Sequence, residues 1–162
     1  MEHTIDYLNH EITQFLVRAN QMSLPIADKN ILAALFHVVN DVERIGDHAE
    51  NIIEYAVSRE TGKFTLSDAA QLELREMYAS VHDLLNMALS AFDTHDENRI
   101  VRAYALEARV DDMADLLHDR HIERLTRGLC SPHSGMLFSD TVSNLERVAD
   151  HAINIINSAD MD

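Results

Sequence analysis

"DVERIGDHAENI", Asp41 to Ile52, and "NLERVADHAINI", Asn144 to Ile155, carry the same pattern 103 positions apart. Glu-Arg-x-x-Asp-His-Ala-x-Asn-Ile recurs with identical internal spacing, and chance is a poor explanation for it. The reading that decides the fold is a duplicated structural unit whose polar residues share one job. The duplication also reaches outward. "EHTIDYL" (Glu2 to Leu8) matches "EARVDDM" (Glu107 to Met113), each with Glu-x-x-x-Asp and a β-branched residue before the Asp. A helical hairpin therefore occurs twice, over 1–58 and about 96–159, with a Glu-x-x-x-Asp pair on each arm.

Between the repeats, apolar residues keep a helical period. Ile5, Leu8, Ile12, Phe15, Leu16 and Ala19 space as one helix face, which ends before Pro25. The spacing predicts a second helix over about 28–58 and a third over about 67–92. A fourth runs to Arg127, with Gly128 placed to end it. "THDE" (Thr94 to Glu97) reads as a capping box, Thr94 with Glu97, opening the fourth helix. "CSPHSG" (Cys130 to Gly135) reads as a loop before a last helix over 136–159. No segment alternates with period two, so the class is all-α, in one domain spanning 1–162.

Composition agrees. Gly 4 and Pro 2 in 162 residues favour long uninterrupted helices. The net charge of −15 repels nucleic acid and anionic lipid, and makes cations the natural partners. The densest basic piece is "RLTRG", Arg124 to Gly128. A single cysteine, Cys130, permits no internal disulfide and fits a reducing compartment. The longest apolar stretch, Ile31 to Val39, is too short to span a bilayer, and no signal peptide is visible.

Residues four apart share a helix face. Glu43, Asp47 and Asn51 form one acidic stripe, and Glu146, Asp150 and Asn154 its copy. Glu2, Asp6 and His10 form the partner stripe of the first hairpin; Glu107, Asp111 and Asp115 that of the second. Like charges at this spacing cost roughly 0.2–0.5 kcal/mol per pair, so four pairs cost about 1–2 kcal/mol. A bound cation would reverse that sign, and carboxylate oxygens suit hard ions. The competing readings are a solvated acidic face, and pairing of Asp47 and Asp150 with Arg44 and Arg147. We read the two arginines as structural salt-bridge partners. His48 and His151 recur beside the Asp but point away from Glu43 and Glu146; His10 and His118 fall closer to their stripes.

"ERIGDHAENI" and "ERVADHAINI" resemble the duplicated signature of the PhoU family of phosphate-uptake regulators, over essentially the whole chain. "IDYLNHEI" (Ile5 to Ile12) and "HIERLTRGLC" (His121 to Cys130) look like the PhoU-type domain at the cytoplasmic C-terminus of sodium/phosphate cotransporters. The resemblance implies two pseudo-symmetric three-helix bundles and a regulatory role in phosphate transport. It implies metal ions on the Glu-x-x-x-Asp faces, divalent or trivalent: iron, zinc, calcium, magnesium or manganese. Carried onto this chain, the ligands are Glu107, Asp111, Glu146 and Asp150, and Glu43, Asp47, Glu2 and Asp6. The implied partner is the phosphate-transport machinery, with an upstream membrane domain of its own in a longer parent.

One departure matters. Family members have three helices per repeat, whereas the first repeat (1–60) lacks the leading helix that 66–160 possesses. The chain thus reads as a fragment of a longer protein. Its third helix should fill the groove between the fourth and the last. The first hairpin's groove, lined by Ile5, Ile12, Phe15, Leu35, Val38 and Val42, has no helix of its own, so the chain is expected to form a homodimer. Two further functional readings are a metal-free helical adaptor and a carboxylate-bridged di-metal enzyme. The enzyme reading wants paired Glu-x-x-His motifs that this sequence lacks, and no catalysis is assigned.

Overall fold

A computed structural model describes residues 2–62, 64–94 and 96–159, with Glu2 and Ala159 described in their backbone alone. Five helices follow in order: α1 (Glu2–Asn20), α2 (Ile26–Glu60), α3 (Asp68–Thr94), α4 (Glu97–Thr126) and α5 (Pro132–Ala159). Among the described residues there is no strand.

Glycine follows two of these helices, the second as the sequence predicts. Gly62 (φ 72°) follows α2 and Gly128 (φ 68°) follows α4, both in the left-handed region where a side chain is strained. After Gly128 the chain closes the turn with Leu129 N–H donating to the Arg124 carbonyl at 2.9 Å.

Two local expectations are corrected. Thr94 does not cap α4, because α3 extends through it and its hydroxyl donates back to the Ser90 carbonyl at 2.7 Å. Asp96 takes the cap instead, its carboxylate accepting from Asn98 N–H at 3.0 Å. The loop expected over Cys130 to Gly135 is also shorter, since α5 begins at Pro132. Ser131 caps it, with Oγ accepting from Ser134 N–H at 3.1 Å. Proline at the first helical position lacks only an N–H that would have no partner there.

The helices divide as the repeats do. α3, α4 and α5 pack pairwise against one another, α2 packs on α5, and α1 packs on α2 alone. In the second bundle α3 lies on both α4 and α5, burying Met77, Val81, Leu84 and Ala88 against Val110, Phe138, Val142 and Ile156. Each such aliphatic or aromatic side chain contributes roughly 1.5–3 kcal/mol when removed from water. The first hairpin has no such cover. Among the described residues of α1 and α2 only Leu16 and Ala34 are buried, while Phe15 is 63% exposed. A shallow cavity of about 170 Å³ runs between Ile5, Leu8, Ile12, Val38, Val39 and Val42, where the second bundle places α3.

Small residues set the helix spacing in each hairpin. A Cβ on Gly46 of α2 would stand 2.9 Å from Ile5 Cδ1 on α1. At the equivalent positions of the second repeat stand Ala149 and the shorter Val110, both fully buried. Glycine at position 46 lets the isoleucine of α1 pack directly on the α2 backbone, so the two helices of the first hairpin approach closely.

Candidate functional site

The antiparallel hairpins bring the acidic stripes together. Asp6 of α1 meets Glu43 and Asp47 of α2, with one carboxylate oxygen from each lying within 4.8 Å of the others. In the second hairpin Glu107 and Asp111 of α4 meet Asp150 of α5 at the same closeness. Oxygens bound to one ion at about 2.0–2.6 Å lie no more than about 5 Å apart, so both clusters fit a single hard cation. Glu146, one turn before Asp150, adds its field to the second cluster without belonging to its closest trio. The Glu2 side chain, expected in the first cluster, lies outside the described residues.

The second cluster is electrostatically strained. Burial first, then Asp111 and Asp150, push the Glu107 carboxyl above its ordinary value. Burial first, then Asp150, Asp112 and Asp115, do the same to Asp111. Glu146 is raised by burial, Asp150 and Asp111, with His118 partly opposing. No arginine relieves this: Arg44 and Arg147 are exposed, and neither makes an ion pair among the described residues. That corrects the expected salt bridges. An exposed pair on one helix gains too little Coulomb energy to hold two long side chains in place.

The sign of the pH dependence follows. Carboxyls with raised pKa values in the folded chain lose their protons in the unfolded chain first, near pH 4–4.5. Their contribution to stability is full below that range and is lost as pH rises through the folded values. His121 works in the opposite direction: burial, Arg124 and His118 lower its pKa, so its contribution is lost as pH falls below about 6.5. Comparing the chain with Glu146→Gln separates the two. In chelator, urea unfolding should show the variant more stable by a few tenths of a kcal/mol at pH 7. That advantage should vanish near pH 4. A constant difference across this range would mean that Glu146 does not feel the cluster.

The repeated His and Asn have another task, on the contact between α2 and α5. His48 Nδ1 donates to Asn144 Oδ1 at 2.9 Å, and Asn51 Nδ2 donates to the same oxygen at 3.1 Å. Reciprocally, His151 Nδ1 meets Asp41 Oδ1 at 2.8 Å, and Asn154 Nδ2 donates to that oxygen at 3.3 Å. The two imidazoles stack with centroids 5.6 Å apart. Asn144 Nδ2 donates to the Asp140 carbonyl at 2.7 Å, which turns Oδ1 toward His48 and places the proton on His48 Nδ1. The two halves of the chain are thus clasped about a pseudo-two-fold axis. Asp41 and Asn144 were missed as site residues, although each is the first residue of its repeated dodecamer. They stand seven residues before the His, two turns back on the same face.

His10 and His118 also lie outside the clusters, bonded to Gln14 (2.7 Å) and Ser139 (3.1 Å) respectively. Among the described residues no helix is long and apolar enough to cross a membrane.

A family model described as the PhoU domain matches residues 1–56 and 74–159. The phosphate-specific transport system accessory protein PhoU homolog 1 of Thermotoga maritima is 29% identical over 157 residues, covering 93% of this chain and 65% of that protein. The corresponding Synechocystis protein is 29% identical over 163 residues, covering 96% and 68%. The chain therefore spans about two thirds of the length of these relatives. The crystal structure of PhoU from Pseudomonas aeruginosa superposes with a TM-score of 0.90 at 21% identity, covering 98% of this chain and 75% of that one. PhoU from Streptococcus pneumoniae gives 0.82, also at 21% identity. At that identity the likeness carries the fold alone.

Proposed function

The chain belongs to the PhoU family, and from that membership we propose that it is a metal-binding regulatory domain of phosphate transport. The observation that carries the metal is the convergence of Asp6, Glu43 and Asp47, and of Glu107, Asp111 and Asp150, at matching places in two repeats. Convergence in one hairpin alone would count for little on a chain of net charge −15. Its duplication, with no arginine in either cluster, favours a shared ligand. The relatives, accessory proteins of phosphate-specific transport systems, support the pathway.

In this reading each cation ties the two helices of its hairpin, and the clasp between α2 and α5 transmits the geometry of one hairpin to the other. The resulting surface docks on phosphate-transport machinery at the cytoplasmic face of the membrane. The finer assignment is the PhoU-type domain of a sodium/phosphate cotransporter, supported by the resemblance of Ile5 to Ile12 and His121 to Cys130. No catalytic step belongs to this function. The exposed groove of the first hairpin is the dimer contact of the isolated chain.

Cells carrying Asp47→Asn and Asp150→Asn together, with the protein at its normal level, should lose the adjustment of phosphate uptake to external phosphate. Unaltered adjustment in those cells would overturn the regulatory reading. Purified chain without stoichiometric metal under elemental analysis, and unable to take it up, would overturn the metal.

A further inference from the structure

The end of the second bundle where α3 and α5 begin differs chemically from the rest of this acidic molecule. A cleft of about 510 Å³ lies there, with His121 and Arg124 of α4 on one side and Cys130, Ser131 and Ser134 on the other. No carboxylate is among its described lining residues. Two helices start at its edge. Ser67 Oγ accepts from Ala70 N–H at 3.2 Å at the head of α3, and Ser131 caps α5. Both dipoles therefore turn their positive ends toward one space, and Arg124, in the last turn of α4, offsets that helix's negative end.

The side chains add a second, independent sign. His121 is only 7% exposed and has no hydrogen bond among the described residues. Its ring edge is aimed at the first turn of α5: a Cβ on Gly135 would lie 2.4 Å from Cε1 and 2.8 Å from Nε2. Arg124 donates from Nη1 to Glu73 at 2.8 Å, while its Nη2 is buried with no partner. Glu73 also serves Arg120 at 3.2 Å. One carboxylate between two guanidiniums leaves a positive charge uncompensated beside the cleft. A buried guanidinium nitrogen without a partner and an unbonded imidazole, next to converging helix N-termini, mark a place for an anion.

We propose that this cleft binds a phosphoryl oxyanion, held by Arg124, His121, the Ser134 hydroxyl and the His133 N–H in the first turn of α5. It deepens the regulatory reading, on which the choice of phosphate over other oxyanions partly rests. Chemistry points the same way. Burial first, then Arg124 and His118, push the His121 pKa below its ordinary value, which favours the neutral imidazole with its one acceptor nitrogen. Hydrogen phosphate has an O–H to give it, and sulfate has none.

The test uses the full chain in chelator, so that no metal in the carboxylate clusters recruits the anion. Inorganic phosphate, sulfate and glycerol phosphate are titrated calorimetrically at matched ionic strength. Inorganic phosphate should bind at millimolar affinity or better, with sulfate weaker by about tenfold and Arg124→Gln weakening phosphate by about tenfold. Because that variant removes a largely buried ion pair, the wild-type chain supplies a second reading. Cys130 lines the cleft and is partly exposed, so phosphate should slow its alkylation several-fold, in step with occupancy. Tighter binding of glycerol phosphate than of inorganic phosphate would identify a phosphate monoester as the source and support the site. No heat and no protection of Cys130 up to about 10 mM phosphate overturns the proposal, as does binding that Arg124→Gln leaves unchanged. Neither failure touches the metal clusters, which are scored separately by metal content.

Discussion

Saturating the chelator-treated chain with a cation that it binds should raise its melting temperature by about 5–10 °C for each cluster filled, and Asp150→Asn should remove the second cluster's share of that rise. A ligand present at 100 times its dissociation constant stabilises the folded state by about 2.7 kcal/mol. For a chain of this size each kcal/mol is worth about 2–4 °C. Asp150 should matter most because it is the only α5 carboxylate in the Glu107–Asp111–Asp150 trio. Without it, both remaining members belong to α4, and a cation there no longer ties two helices. In chelator the sign reverses, since Asp150→Asn relieves the repulsion that raises Glu107, Asp111 and Glu146. The variant should then melt at or slightly above the wild type. Asp140→Asn serves as the control, because Asp140 faces Tyr55 rather than the cluster. Equal losses from the two substitutions would remove the second cluster as the binding site. A melt that ignores chelator, on protein shown to contain metal, would deny the ion a structural role.

The helices and their pairing were legible in the sequence because both signals are periodic. Apolar spacing gives the faces, and the 103-residue repeat gives the symmetry that places α1 on α2 and α4 on α5. The acidic clusters were legible for the same reason: Glu-x-x-x-Asp projects from one face, and an antiparallel hairpin turns two such faces together. What escaped was set by competition among neighbours. Thr94 looked like a cap, but nothing in the sequence says that its hydroxyl is spent on the Ser90 carbonyl. Arg44 and Arg147 looked like partners of Asp47 and Asp150 from spacing alone, yet spacing does not weigh the entropy of an exposed side chain. Asp41 and Asn144 needed the α2–α5 crossing, a contact between sequence-distant helices, before their bonds to His151 and His48 made sense. The cleft at Arg124 needed three separate chain segments, and only the basic stretch ending at Gly128 hinted at it.

At tens of micromolar the isolated chain should sediment as a dimer, and Phe15→Glu should return it to monomer. The first hairpin is the second bundle without its third helix. Leu8, Ile12, Phe15 and Val42 are 41–63% exposed along one groove, and among the described residues α1 packs on no helix but α2. The equivalent groove between α4 and α5 is filled by α3. Two first hairpins laid face to face about a two-fold axis would make a four-helix bundle in which each covers the other. A stable interface buries about 1,200–2,000 Å² in total, and two helix pairs of the length of α1 can supply it. Against it stands the repulsion of two chains each of net charge −15. Added salt should therefore tighten the dimer as it shortens the screening length. Phe15→Glu places a charge at the centre of the contact, where desolvation costs several kcal/mol, enough for a loss of affinity of about 100-fold or more. The same residue is exposed in the monomer, so the fold itself should survive with its helical content unchanged. A wild-type chain that remains monomeric at these concentrations, at high and low salt alike, would show that the hairpin tolerates its open groove in water.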